Sequence, residues 1–161
     1  VNAVTRRMRN LATLELWNIP LWAAIWFGLW HFPLTAANVV GFALFALLLV
    51  QGAAYWLLKL HQLRSRRPDL PGVGAFRVLR VVNLPIIAGA LVVTAHAAVA
   101  SPGRASWLGL GLAIFGALEH VNYFHVQLMH DTAADLRRLR QVGLRRSHLA
   151  RDLAVRTASE K

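Results

Sequence analysis

Four stretches of this chain are almost continuously apolar, and polar residues collect in the gaps between them. They cover about residues 14–32, 37–60, 78–100 and 105–129. Each has roughly the ~20 residues that a helix needs to cross ~30 Å of hydrocarbon. Barrel strands would be half as long, so the pattern predicts an all-α membrane protein with four transmembrane helices. The connections near Pro33 and near Ser101-Pro102-Gly103-Arg104 are a few residues long. Helices joined that tightly are antiparallel neighbours. The connection over residues 64–75 (RSRRPDLPGVGA) is longer, rich in Pro, Gly and Arg, and reads as a surface loop.

Charge supplies the orientation. Of the 18 Lys and Arg residues, all but Arg104 cluster before the first stretch, around the connection between the second and third, or after the fourth. Such clustering follows the positive-inside rule and places both termini in the cytoplasm, with the bundle in the inner membrane. The expected organisation is a basic cytoplasmic N-terminus (1–13), a bundle (14–131) and a basic amphipathic cytoplasmic tail (132–161). Composition agrees. Hydrophobic residues make up 57%, charged ones 16%, and the mean hydropathy is +0.45. A soluble domain of this size lacks the interior to hide so much apolar surface. The absence of cysteine excludes disulfides and thiolate metal sites. The net charge of +11 is accounted for by the same rule, with anionic membrane lipids as the standing partner. Nucleic acid is not expected, because no binding motif accompanies the charge. A homo-oligomer or another membrane protein remains open as a partner. Arg6, Arg7 and Arg9 precede an apolar run without a small-residue cleavage site, so that run reads as the first span and not as a signal peptide.

The two halves of the chain resemble each other. At an offset of 65, Asn18-Ile-Pro20 falls on Asn83-Leu-Pro85 and His31 on His96. At an offset of 68, Gly41 falls on Gly109, Gln51 on Glu119 and Tyr55 on Tyr123, the chain's only two tyrosines. The expected architecture is therefore two parallel-repeat helical hairpins related by a pseudo-two-fold along the membrane normal. Pro20 and Pro85 are expected inside their helices. A first helix starting at Asn18 would span only about 22 Å before Pro33, too short to cross.

The fourth stretch holds the densest polar signal, Glu119-His120-Val-Asn122-Tyr123-Phe-His125. At helical spacing Glu119, Asn122 and Tyr123 share one face, with His120 on its flank. An acid at such a depth is costly and must be neutral or paired. Arg80 is its expected partner, with Asn83 one turn further in, and Gln51 and Tyr55 at similar depth on the second helix. With Asn18 these residues define an expected ligand-binding pocket, open to the cytoplasm and lined by all four helices. The same residues serve equally as a network that only specifies helix packing.

Other chemistry is thin. His120 and His125 lie five apart, unlike the i, i+4 pair of a zinc-protease helix. A di-iron bundle needs several intramembrane glutamates, and Glu119 reads as the only one. His31 and His96 are the candidates for a metal or for the axial ligands of a b-type haem; otherwise no cofactor is expected. In the tail, Leu136 and Leu139 form an apolar stripe that Gly143 breaks, and Ser147 is placed to cap a short helix carrying Leu149 and Leu153. The tail is expected to continue the fourth helix into the cytoplasm and lie along the inner leaflet. No catalytic residue stands out. The function these features favour is binding or passage of a small ligand, lipid or ion. The alternatives are an assembly subunit and a haem electron carrier.

Overall fold

A computed structural model describes residues 2–128 and 144–159, with side chains through Ala154. Among the described residues the chain is all-helical, without a strand. Helix α1 spans Asn2–Ala23 and passes into a π-helical segment, Ala24–Leu29; α2 spans Ala36–Arg64, α3 Val73–Ala100, α4 Trp107–Phe124 and α5 His148–Ser159. Pro20 and Pro85 lie inside α1 and α3, as their positions predict. The first helical unit starts at Asn2, not near residue 14, so Arg6, Arg7 and Arg9 are helical. Its π segment closes with Trp30 N–H on the Ile25 carbonyl (2.9 Å), and His31 then leaves the helical path at φ +50°. Pro33 disfavours helical geometry just ahead of it, which helps end the unit here.

α2 is the centre of the molecule and packs against α1, α3 and α4. Its contact with α4 is built from small residues. A Cβ on Gly41 would overlap the Gly109 backbone, and one on Gly109 would overlap the Ala37 carbonyl. Ala37 and Gly41 thus form one small-xxx-small step, Gly109 and Ala113 the facing one, and the helices meet at backbone distance. The lower core there is Leu44, Leu48, Ile87, Ala90 and Ala113.

Asn38 fastens the same end. It is completely buried. Its Nδ2 donates to the carbonyls of Pro33 (2.9 Å) and Arg104 (3.0 Å), and its Oδ1 accepts from Gly109 N–H (2.9 Å). Gly109 is the third residue of α4, whose own cap, Ser106, supplies no side-chain bond. Asn38 therefore caps α4 from a different helix. Thr35 caps α2 itself by accepting from Asn38 N–H (3.2 Å). Arg104, the isolated basic residue of the short connections, donates to the Trp30 carbonyl and lies over the Phe32 ring, 4.8 Å from its centroid.

At the opposite end α4 stops at Phe124, five residues before the expected limit of the fourth stretch. The chain turns because His125–Gln127 pairs with Arg145–Ser147 in a short antiparallel bridge: Gln127 N–H to the Arg145 carbonyl (3.0 Å) and Ser147 N–H to the His125 carbonyl (3.1 Å). The expected continuation of the fourth helix is corrected accordingly. Leu136, Leu139 and Gly143 lie outside the described residues. Ser147 does cap α5, accepting from Ala150 N–H (3.1 Å), and Leu149 and Leu153 are buried. They pack with Tyr55, Phe76, Tyr123 and Phe124, so α5 docks onto the bundle.

Among the described helices, α2 and α3 are each long and apolar enough to cross a membrane. α3 wears much of its apolar surface outside: Val78, Val81, Leu84, Val92 and Val99 are all exposed.

Candidate functional site

Away from the Asn38 end, polar residues of the bundle form three groups toward Tyr123. In the first, Gln51 of α2 and Asn83 of α3 exchange amide hydrogen bonds, Gln51 Nε2 to Asn83 Oδ1 (3.1 Å) and Asn83 Nδ2 to Gln51 Oε1 (2.7 Å). Asn83 Nδ2 also lies 3.4 Å from His120 Nδ1. The His120 ring stacks on Phe124 at 4.8 Å, and its Nε2 is buried without a hydrogen-bond partner among the described residues.

The second group joins α1 to α4. The Tyr123 hydroxyl donates to the carboxylate of Glu15. Its ring fills the hollow beside Gly52, where any Cβ would collide with it. One turn earlier, Glu119 is 6% exposed and accepts from Asn122 Nδ2 (3.3 Å), while Asn122 Oδ1 accepts from Leu128 N–H (2.8 Å). The two carboxylates lie within electrostatic reach of each other. Each accepts one side-chain hydrogen bond among the described residues, although a carboxylate has about four acceptor positions.

The third group ties α5 down. Lys59 Nζ contacts both Asp152 oxygens (2.8 and 2.9 Å), and the Tyr55 hydroxyl donates to one of them (2.9 Å). His148 packs its ring near Trp56 and takes Arg151 Nη2 at 2.9 Å from its Nδ1. Burial, reinforced by Arg151 and Arg145, lowers its pKa below the ordinary 6.5.

Two cavities lie at this end of the molecule. One of about 330 Å³ lies between α1, α2, α4 and α5, and Glu15, Tyr123, Asn122, Arg7, Arg145 and His148 contribute to its wall. The other, about 460 Å³, lies across the chain reversal and is lined by Arg80, His125 and Arg146 with Phe124, Val126 and Leu153. The alternation of the bridge separates them: Arg145 and Gln127 face the first, Arg146 and Val126 the second. A third cavity, about 480 Å³, is nearly all apolar and is lined by Trp22, Trp26, Phe32, Phe45 and Trp107.

The expected single pocket is therefore divided. Glu119 is buried, but among the described residues it bonds to none of Arg80, Asn83, Asn18, Gln51 and Tyr55. The cause is helix rotation: His120, about 100° further round α4, meets Asn83, so Glu119 turns elsewhere. Arg80 is exposed and belongs to the second cavity. Tyr55 is taken up by Asp152. Asn18 is half-buried one turn beyond Glu15. His31 and His96 are both exposed, and no hydrogen bond or ring contact joins them. Among the described residues no group of three His, Asp or Glu is placed to hold a metal. Sequence reasoning missed Glu15, which sits in the first stretch and corrects the count of one acid in the bundle, and it missed Asp152. The available signals were an acid one turn before Asn18 and an acid between the two leucines of α5. No family model, no curated protein and no solved structure matches this chain.

Proposed function

We propose that this is an integral membrane protein of four spans, with both termini cytoplasmic, that binds a small ammonium-bearing ligand in the cavity beside Glu15 and Tyr123. The membrane reading is supported by the apolar length of α2 and α3 and by the valine- and leucine-rich face that α3 leaves exposed, too large a patch for water. Orientation follows from the basic residues, which put the cavity on the cytoplasmic side. The meeting of Gly41 with Gly109, residues at equivalent places in the two halves, is what a pseudo-two-fold between hairpins would bring about.

The observation that carries the ligand reading is the composition of the 330 Å³ cavity wall. Glu15, held by Tyr123, offers spare carboxylate acceptors, while Arg7 and Arg145 supply positive charge nearby. A wall with both signs suits a zwitterion, the ammonium on Glu15 and the anionic group on the arginines. The volume is at the small end of ligand sites, about 300–1,000 Å³. Phosphatidylethanolamine has this headgroup chemistry and is the probe of choice. In native mass spectrometry from mixed-lipid micelles, the protein should retain phosphatidylethanolamine over phosphatidylcholine, and Glu15→Gln should cut that retention about tenfold, equivalent to one charge-assisted hydrogen bond. Equal retention of the two lipids by both proteins would overturn the proposal. The Gln51–Asn83 amide pair favours a second role for its own part of the bundle: mutually satisfied amides specify which helices pack together.

A further inference from the structure

The second cavity has a different chemistry. Its described wall brings together Arg80 from α3, His125 from the end of α4 and Arg146 from the strand-like turn before α5, and no acid is among them. Neither guanidinium pairs with a carboxylate among the described residues, whereas Lys59 does. Both are anchored by backbone from separate parts of the chain. Arg80 is fixed by α3, and Arg146 by its bridge to Val126, which also sets the His125 carbonyl on Ser147 N–H. Arg80 lies within electrostatic reach of both His120 and His125. The His125 ring sits 5.6 Å from that of His120, whose buried Nε2 has no hydrogen-bond partner among the described residues. Phe124 and Leu153 complete an apolar side. Cations set around an apolar-backed hollow of about 460 Å³, with no anion among its described residues, suit a ligand that supplies the counter-charge.

We propose that this cavity is a phosphate site, in which Arg80 and Arg146 grip the oxygens of a phosphate ester and His125 adds a third donor. Arginine's planar fork matches phosphate oxygens two at a time, a geometry a lysine cannot offer. The ester's carbon chain would run along Phe124 and Leu153. The phosphate arrives either on an anionic lipid headgroup or as a soluble ester. The site shares no described residue with the Glu15 cavity, so each proposal fails or stands separately.

The test uses the full chain in a neutral detergent, titrated with soluble dihexanoyl phosphatidylglycerol, with dihexanoylglycerol, which lacks the phosphate, and with inorganic phosphate. Affinity is read from intrinsic tryptophan fluorescence and from thermal shift. Phosphatidylglycerol should bind, and Arg80→Gln with Arg146→Gln should weaken it by at least about tenfold per lost bidentate contact. A control double variant, Arg66→Gln with Arg67→Gln, removes the same charge from the loop and should change affinity less than about twofold. Arg80→Lys with Arg146→Lys keeps the charge and loses the fork. It should fall between the two, and it answers the question if the glutamine variant does not fold. Inorganic phosphate competing with phosphatidylglycerol identifies a site open to soluble esters. Binding of phosphatidylglycerol without such competition identifies a headgroup site. The proposal is overturned if the loop control loses as much affinity as the glutamine variant, if dihexanoylglycerol binds as well as phosphatidylglycerol, or if neither phosphatidylglycerol nor inorganic phosphate binds.

Discussion

Replacing Asn38 with alanine tests the mechanism that closes the Pro33 end. The change removes one acceptor and two donated bonds, all inside a residue with no exposed surface. At a net of about 1 kcal/mol for each bond, the loss comes to about 3 kcal/mol. The Gly109 N–H weighs most, because it belongs to the first turn of α4 and has no other cap. Asn38→Asp sharpens the test. It keeps an oxygen for Gly109 N–H but turns a second one toward the Pro33 and Arg104 carbonyls, where only a donor fits. Its cost should at least equal that of alanine. Denaturant titration in detergent micelles, followed by far-ultraviolet circular dichroism, measures both. A loss below about 0.5 kcal/mol for Asn38→Ala, the scatter of ordinary surface substitutions, would refute the trans-capping account. So would an aspartate variant as stable as the wild type.

Glycine substitutions should divide by sign. Gly41→Ala places a Cβ in the Gly109 backbone and should lower the melting temperature, by overpacking worth about 1–3 kcal/mol, whereas Gly89→Ala meets nothing within 4 Å and should be neutral or stabilising. The docking of α5 should depend on pH through His148. Its folded pKa lies below the ordinary 6.5, so its contribution is fully present above about 6.5 and is lost as pH falls below that value toward the folded pKa; hydrogen exchange in α5 should accelerate on acidification, and His148→Gln should abolish that response. Topology reporters placed after Pro33 and after Ser101 should read as external, and one after Arg67 as internal.

Helix existence was legible because the apolar stretches are long, and the prolines inside α1 and α3 were legible because the crossing length demanded it. The end of α4 was not. Its stop depends on a bridge to Arg145–Ser147, some twenty residues onward, and no local signal at Phe124 announces that pairing. The candidate site was legible in composition and not in pairing. Gln51 and Asn83 were placed at one depth, and they do meet. Glu119 and Arg80 were matched by charge alone, yet helix phase gives His120 the place beside Asn83. Internal similarity misleads in the same way. Tyr55 and Tyr123 fall on each other at the offset of 68, but one donates to Asp152 of α5 and the other to Glu15 of α1. Those partners lie 97 and 108 residues away along the chain, beyond the reach of periodicity.

The two ends of the α2–α4 contact differ in a way that bears on function. At the Pro33 end the interface residues are Ala37, Gly41 and Gly109, and the buried amide of Asn38 is satisfied within the protein by both connections. The Asn38 side chain keeps no unmet hydrogen-bonding group there, and the cavity toward this end is nearly all apolar. At the other end the interior must hold Tyr55, His120, Tyr123 and Phe124, and only Gly52 makes room for one of these rings. Bulk of that kind holds α1, α2 and α4 around space, and α5 docks across it without filling it. Among the described residues, polar groups at this end retain unused capacity: acceptor positions on Glu15 and Glu119, the Nε2 of His120, and, at the second cavity, the guanidinium groups of Arg80 and Arg146, which pair with no acid. Buried polar capacity is costly to leave unmet, so a fold that keeps it at one end and eliminates it at the other concentrates its binding potential there.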